Sequence, residues 1–178
     1  FLQAGARMIL TNSYGCTQDI LKKGKLGHLQ TAWIRQACQL AHQATSQFPD
    51  REVLIGGSIP PLRSSYRPDL VVDDATMIHE YEVIVRSLIE GEVDILVCET
   101  MSCVREATVA ITIARRFAAT KPVWLAVTLQ DTMLPDGQVV LRSGETLRDL
   151  VSALDTQVDA FLLNCCLPEI ATAGLSML

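Results

Sequence analysis

Short runs of β-branched and aliphatic residues alternate along the chain with longer stretches in which apolar positions recur every three or four residues. A short apolar run marks a buried strand, and a 3.6-residue period marks a helix with one apolar face. On this basis strands are predicted near residues 8–13, 53–58, 95–99, 123–128 and 160–164, each followed by a helix. The first helix takes residues 30–48, with Trp33, Ala37, Leu40, Ala41 and Ala44 on one face, and Pro49-Asp50 stops it. Asp73-Asp74 cap the next, whose stripe is Ile78, Tyr81, Val85, Leu88 and Ile89 and which Gly91 ends. A third spans residues 102–118 before Lys121-Pro122 resets the chain for a strand. Ser143-Gly144-Glu145-Thr146 opens a fourth, and Pro168 starts a fifth.

Strands spaced roughly 30 to 45 residues apart with helices between them describe βα units on a parallel sheet, either doubly wound or closed into a barrel. No G-x-G-x-x-G follows a strand, which removes the dinucleotide-binding version of the doubly wound fold. The polar residues closing the apolar runs tip the choice: Ser13 with Tyr14, Ser58, Glu99 with Thr100, Thr128, and Asn164 with Cys165. Singly, a Ser58 or Thr128 merely marks where a strand stops. Five in succession, a Glu and a Cys among them, fit the strand ends that converge on one site in a TIM barrel. The expectation is therefore an α/β fold, a (β/α)8 TIM barrel with about five of its eight βα units in residues 1–178.

The 15 Lys+Arg against 20 Asp+Glu leave a net charge of −5, and basic residues cluster only in pairs. Such a surface does not attract a phosphate backbone, so nucleic acid is not an expected partner. No apolar run approaches the roughly 18 residues of a membrane span, so no membrane partner is expected either. The six cysteines form no C-x-x-C pair and no dense secreted framework, which points to a reducing, cytoplasmic compartment. Cys38 and Cys98 read as buried small hydrophobes. Cys103 opens a helix, where a thiol pKa can fall, although lone helix cysteines are usually bystanders. Cys16 lies in a loop near the expected site, open to adventitious oxidation. His42 and His79 fall in helices with no partner at metal-ligand spacing. The Tyr66-Arg67-Pro68-Asp69 loop either shapes a pocket lid or is simply ordered.

Ala4-Gly5-Ala6 leading to Thr11-Asn12-Ser13-Tyr14, then Gly57-Ser58-Ile59-Pro60-Pro61, Cys98-Glu99-Thr100, Ser143-Gly144-Glu145 and Leu163-Asn164-Cys165 form an ordered set over nearly the whole chain. In that order and spacing they resemble the homocysteine S-methyltransferase family. The resemblance implies a (β/α)8 barrel with one strand before Phe1 and two after Leu178. It implies transfer of a methyl group from an onium or methylated-cofactor donor to the thiolate of homocysteine, with homocysteine and that donor as small-molecule partners.

The resemblance also implies roles for residues. Cys165 is matched to the first of three zinc-bound thiolates, the other two being a Cys-Cys pair after Gly-Gly expected beyond Leu178. Cys165-Cys166 is not that pair, and Cys166 reads as a neighbour pointing away. Glu99 matches the glutamate that receives the homocysteine amino group, and Asn164 precedes the ligand cysteine in the same motif. Tyr14 aligns with a donor-pocket tyrosine whose ring attracts an onium methyl by cation–π contact, or else it packs under the loop. The motifs do not choose among betaine, S-methylmethionine, S-adenosylmethionine and methylfolate as donor. The stretch from Gly57 to Asp69 suggests a stand-alone enzyme rather than a cobalamin module. Two other functions compete: a metal-free barrel serving as a binding or scaffold protein, and a barrel hydrolase or lyase with Glu99 as general base.

Overall fold

The computed structural model describes residues 1–178. Its strands are β1 (Met8–Leu10), β2 (Leu54–Ile59), β3 (Ile95–Met101), β4 (Val123–Val127) and β5 (Ala160–Leu163). All neighbours pair in parallel, in the order β1-β2-β3-β4-β5. A doubly wound sheet reverses its strand order at a switch point. Here every strand lies beside its chain neighbour, as in an arc of a (β/α)8 barrel. Between the strands run α1 (Gln18–Lys23), α2 (Gln30–Thr45), α3 (Asp74–Glu90), α4 (Val104–Ala118) and α5 (Leu147–Leu154), and α6 (Pro168–Leu175) follows β5.

Alternation along each strand separates two layers. Ile55, Ile59, Leu96, Cys98, Val123, Leu125 and Val127 bury against the helices in one core with Ile34, Tyr81, Leu88 and Ile111. The intervening residues form the inner face of the arc. Gly56 and Gly57 mark both sides of the sheet. A Cβ at Gly56 would lie 2.5 Å from Leu10 and Met8 atoms on the inner face, and one at Gly57 would meet Val93 and Leu88 on the helix face at 3.0 and 3.1 Å. The pair therefore lets β2 fit closely between its neighbours on both sides.

A repeated acid fixes the far ends of the strands. Val93-Asp94 precedes β3 and Val158-Asp159 precedes β5. Asp94 accepts from the Ile55 N–H and Asp159 from the Val123 N–H, each at 2.7 Å, so each carboxylate satisfies a donor at the start of the neighbouring strand.

Three helix details depart from the sequence pattern. In α2 the buried face is Gln30, Ile34, Ala37, Cys38 and Ala41, while Trp33 and Leu40 are exposed. In α3 Met77 and Ile84 join Tyr81, Val85 and Leu88 inside, and Ile78 is exposed. The short, polar α1 gives no apolar period. It is held by Thr17, whose hydroxyl accepts from the Ile20 N–H.

Candidate functional site

The C-terminal ends of β1, β2 and β3 are tied by hydroxyls. Thr11 and Ser13 hydrogen-bond each other at 2.9 Å, the Ser58 N–H donates to Thr11 Oγ1 at 3.0 Å, and Ser13 Oγ donates to the Ser58 carbonyl at 3.2 Å. Ser58 Oγ in turn donates to Glu99 Oε1. Three motifs distant in sequence thus converge on one carboxylate. Burial raises the Glu99 carboxyl above the ordinary glutamate range, and the Ser58 hydrogen bond opposes that shift.

The pairing of β3 with β4 slips between Cys98 and Met101, and Thr100 takes φ 60°. A bulge breaks the alternation, and Thr100 Oγ1 accepts from Asn164 Nδ2 at 2.9 Å and lies 3.7 Å from Cys165 Sγ. Glu99 and Asn164 are half-buried. Cys165 is exposed and also left-handed, at φ 53°. Two non-glycine residues in this conformation, side by side, are a local strain that the surroundings must hold. Because β5 ends at Leu163, it is this turn rather than strand alternation that sends Cys165 outward and packs Cys166 against the core. The Asn164 side-chain oxygen is buried and has no hydrogen-bond partner.

The loops close over this end. Tyr14 is half-buried and its hydroxyl pairs with Ser65, next to Tyr66, whose own hydroxyl donates to the Cys165 carbonyl at 3.4 Å. Burial, then the neighbouring Cys165, raises the Tyr66 phenol. Thr128 donates to the same carbonyl at 3.0 Å. Arg142 stacks on the Tyr66 ring at 4.7 Å and makes a bidentate pair with Asp131. Arg142 and Asp131 were not singled out in the sequence. The available signal was two opposite charges flanking the Pro135-Asp136-Gly137 turn, the mark of a hairpin pair.

Glu99, Asn164, Cys165 and, through Ser65 and Tyr66, Tyr14 thus lie at one end of the sheet. The family model described as homocysteine S-methyltransferase matches residues 1–178. The chain belongs to the homocysteine S-methyltransferase family. It is 25% identical over 182 aligned residues to homocysteine S-methyltransferase YbgG of Bacillus subtilis (strain 168), covering 93% of this chain and 56% of that protein. Crystal structures of the homocysteine methyltransferase MmuM from Escherichia coli superpose closely. The metallated form gives a TM-score of 0.86 at 26% identity over 99% of this chain and 64% of that one, and the oxidized form gives 0.85 at 26% identity over 98% and 62%. The chain therefore spans between about half and two thirds of the length of these homocysteine S-methyltransferase relatives.

Cys165 is the one exposed thiol at the strand ends and so the candidate here for holding a metal. No group of three His, Cys, Asp or Glu side chains in residues 1–178 is arranged to hold a metal ion, so these residues do not make a complete metal site. The other thiols stand apart from this chemistry. Cys16, Cys38, Cys98 and Cys103 are buried, and burial pushes each thiol up, Cys38 to about 11. For Cys103 that overrides any lowering by the helix end, and Cys16 is too enclosed for easy oxidation. Ser143-Gly144-Glu145, counted among the family motifs, is a structural cap: Glu145 accepts from the Val104 N–H at 2.9 Å and from Ser143 Oγ at 2.6 Å, closing the start of α4.

Proposed function

We propose that this protein takes part in methyl transfer from an onium or methylated-cofactor donor to the sulfur of homocysteine, forming methionine, with Glu99, Asn164 and Tyr14 binding the substrates and Cys165 ligating zinc. The observation that supports it most is the placement, at one end of a parallel sheet, of an exposed thiol, Cys165, 3.7 Å from the hydroxyl of Thr100, the residue that follows the carboxylate-bearing Glu99 in β3. Homocysteine carries an ammonium and a thiol separated by a short chain, and such a pair of groups matches both ends.

The Glu99 carboxylate, oriented by Ser58, accepts the ammonium through charge-assisted hydrogen bonds. The unpartnered Asn164 oxygen gains a donor from the bound substrate. The half-buried Tyr14 ring offers a face to the methyl of an onium donor. A free thiol titrates near pH 8.5 and is mostly protonated at neutral pH, so the acceptor sulfur needs help to ionise. Zinc bound through Cys165, with its further ligands drawn from outside residues 1–178, would supply that help by keeping a coordinated thiol deprotonated. In the transfer, the sulfur–methyl bond forms as the bond from methyl to the donor heteroatom breaks, and the donor leaves with that electron pair. The relatives' greater length makes this an activity of the whole protein.

The test is methionine formation from homocysteine with a panel of methyl donors, with and without a chelator, alongside metal analysis. Cys165→Ser is expected to lose both metal and transfer. Glu99→Gln is expected to keep the metal and weaken homocysteine binding roughly tenfold. Full activity and metal content in Cys165→Ser would sink the assignment, and activity indifferent to chelation would favour a Glu99-based reaction instead.

A further inference from the structure

The excursion between β4 and α5 is a folded hairpin. Leu129 bridges Leu141 and Val140 bridges Thr146 in antiparallel fashion, the Gln130 N–H donates to the Val140 carbonyl at 2.9 Å, and Leu129, Val139, Val140 and Leu141 are buried. The chain leaves the end of β4 at Thr128, turns at Pro135-Asp136-Gly137, and returns to the same strand end. The residue it returns is Arg142.

An arginine in a bidentate pair with Asp131 has a simple alternative role, that of stapling the hairpin. The remaining contacts go further. Arg142 Nε donates to Thr128 Oγ1 at 3.3 Å, and Nη2 reaches the Cys165 carbonyl at 3.4 Å. Thr128 Oγ1 donates in turn to that carbonyl at 3.0 Å, and Tyr66, stacked beneath the guanidinium, donates its hydroxyl at 3.4 Å. Donors from three separate segments thus meet at one peptide oxygen. Arg142 touches the other two, and its side chain is only 16% exposed against 51% for Asp131. The peptide so held follows a non-glycine residue at φ 53°, a conformation that persists only where neighbours impose it. The backbone conformation at Cys165 sets the direction of its Cα–Cβ bond, and with the peptide so held Sγ lies 3.7 Å from Thr100 Oγ1.

We propose that Arg142 is a positioning residue: with Thr128 and Tyr66 it fixes the Cys165 peptide and so directs the Cys165 thiol toward the strand-end site. Its consequence for methyl transfer depends on the ligand role assigned to Cys165 above; the direction of the thiol does not. A guanidinium suits the task because its planar fork serves Asp131 and still leaves N–H groups for Thr128 and the carbonyl, which a lysine cannot match.

The experiment is native alkylation with iodoacetamide, resolved by fragment mass spectrometry into Cys165 and Cys166, on the wild type, Arg142→Met and Arg142→Lys. The wild type is expected to label at Cys165 well ahead of Cys166. In Arg142→Met the ratio is expected to fall about fivefold, the worth of one ordinary hydrogen bond, with Arg142→Lys in between. An unchanged ratio in Arg142→Met, with Cys38 and Cys98 still protected, overturns the proposal. Full restoration by lysine also overturns it, since charge alone would then explain the effect. If Arg142→Met exposes Cys38 and Cys98, Arg142→Gln, which also removes the guanidinium, is measured in its place, and a folded Arg142→Gln with the wild-type ratio overturns the proposal equally. Labelling needs neither homocysteine nor metal. A ratio that responds in a protein making no methionine refutes the functional reading alone, and methionine formation with an unresponsive ratio refutes the role of Arg142 alone.

Discussion

Glu99 carries two opposed demands. In the proposed role of binding an ammonium it must be ionised, yet the fold buries it enough to raise its carboxyl above the ordinary range. A carboxyl whose folded value lies above its unfolded value favours the protonated native state. Its stabilising contribution is complete below the unfolded value and is lost as pH rises through the raised folded value. At neutral pH the ionised Glu99 therefore costs stability, the usual sign of a residue kept for function. Glu99→Gln, which still offers an oxygen to Ser58, is expected to melt higher than the wild type at pH 7. The gap should close as pH falls through the carboxylate range. Thermal unfolding from pH 4 to 8 checks this, and a Glu99→Gln protein that melts lower at neutral pH would mean that interactions beyond burial and the Ser58 hydrogen bond favour the ionised carboxylate.

At the scale of elements, the strand ends are aimed by the helices and loops that cap them. Glu145 holds the first N–H of α4, the helix that follows the strand bearing Glu99. Removing such a cap costs about 1 kcal/mol, so Glu145→Ala is expected to lower the melting temperature by roughly 2–4 °C. Differential scanning calorimetry with a homocysteine titration separates cap from catalysis. Lost binding without lost stability would move Glu145 into the site. The same elements explain what the sequence could reveal. All five strands were legible because each is a short apolar run closed by a polar residue, and the same mark put Glu99, Asn164 and Cys165 at strand ends, where the structure has them. The buried face of α2 was legible only in part, at Ala37 and Ala41: Trp33 and Leu40 are apolar yet exposed, and a pattern of apolar residues does not tell which of two adjacent stripes meets the sheet. Arg142 escaped because a hairpin inside a loop has no sustained period. The bulge at Thr100 has no signature beyond the side chains that it regroups.

At the scale of the whole molecule, residues 1–178 form an arc with β1 and β5 at its two edges. Each edge strand presents backbone donors and acceptors on one side, and a closed barrel is the arrangement that removes such edges. The inner face is apolar where it is open: Leu10 is 43% and Leu54 36% exposed, and a Cβ at Gly56 between them would sit against Leu10 and Met8. No helix is long and apolar enough to cross a membrane, so a bilayer-spanning helix does not account for this surface. Parallel edges beside an exposed apolar face form a template for another chain. Prepared as these residues alone, the protein is expected to self-associate, giving by light scattering a mass that rises with concentration above the 19.5 kDa of one chain. A charge turned into the inner face blocks such pairing, so Leu10→Lys should shift the population toward monomer while leaving the core residues around Tyr81 and Leu88, on the opposite face of the sheet, undisturbed. A wild type that stays monomeric throughout the concentration series would mean that the two edges and the inner face are protected within the single chain, and that the arc closes on itself in solution.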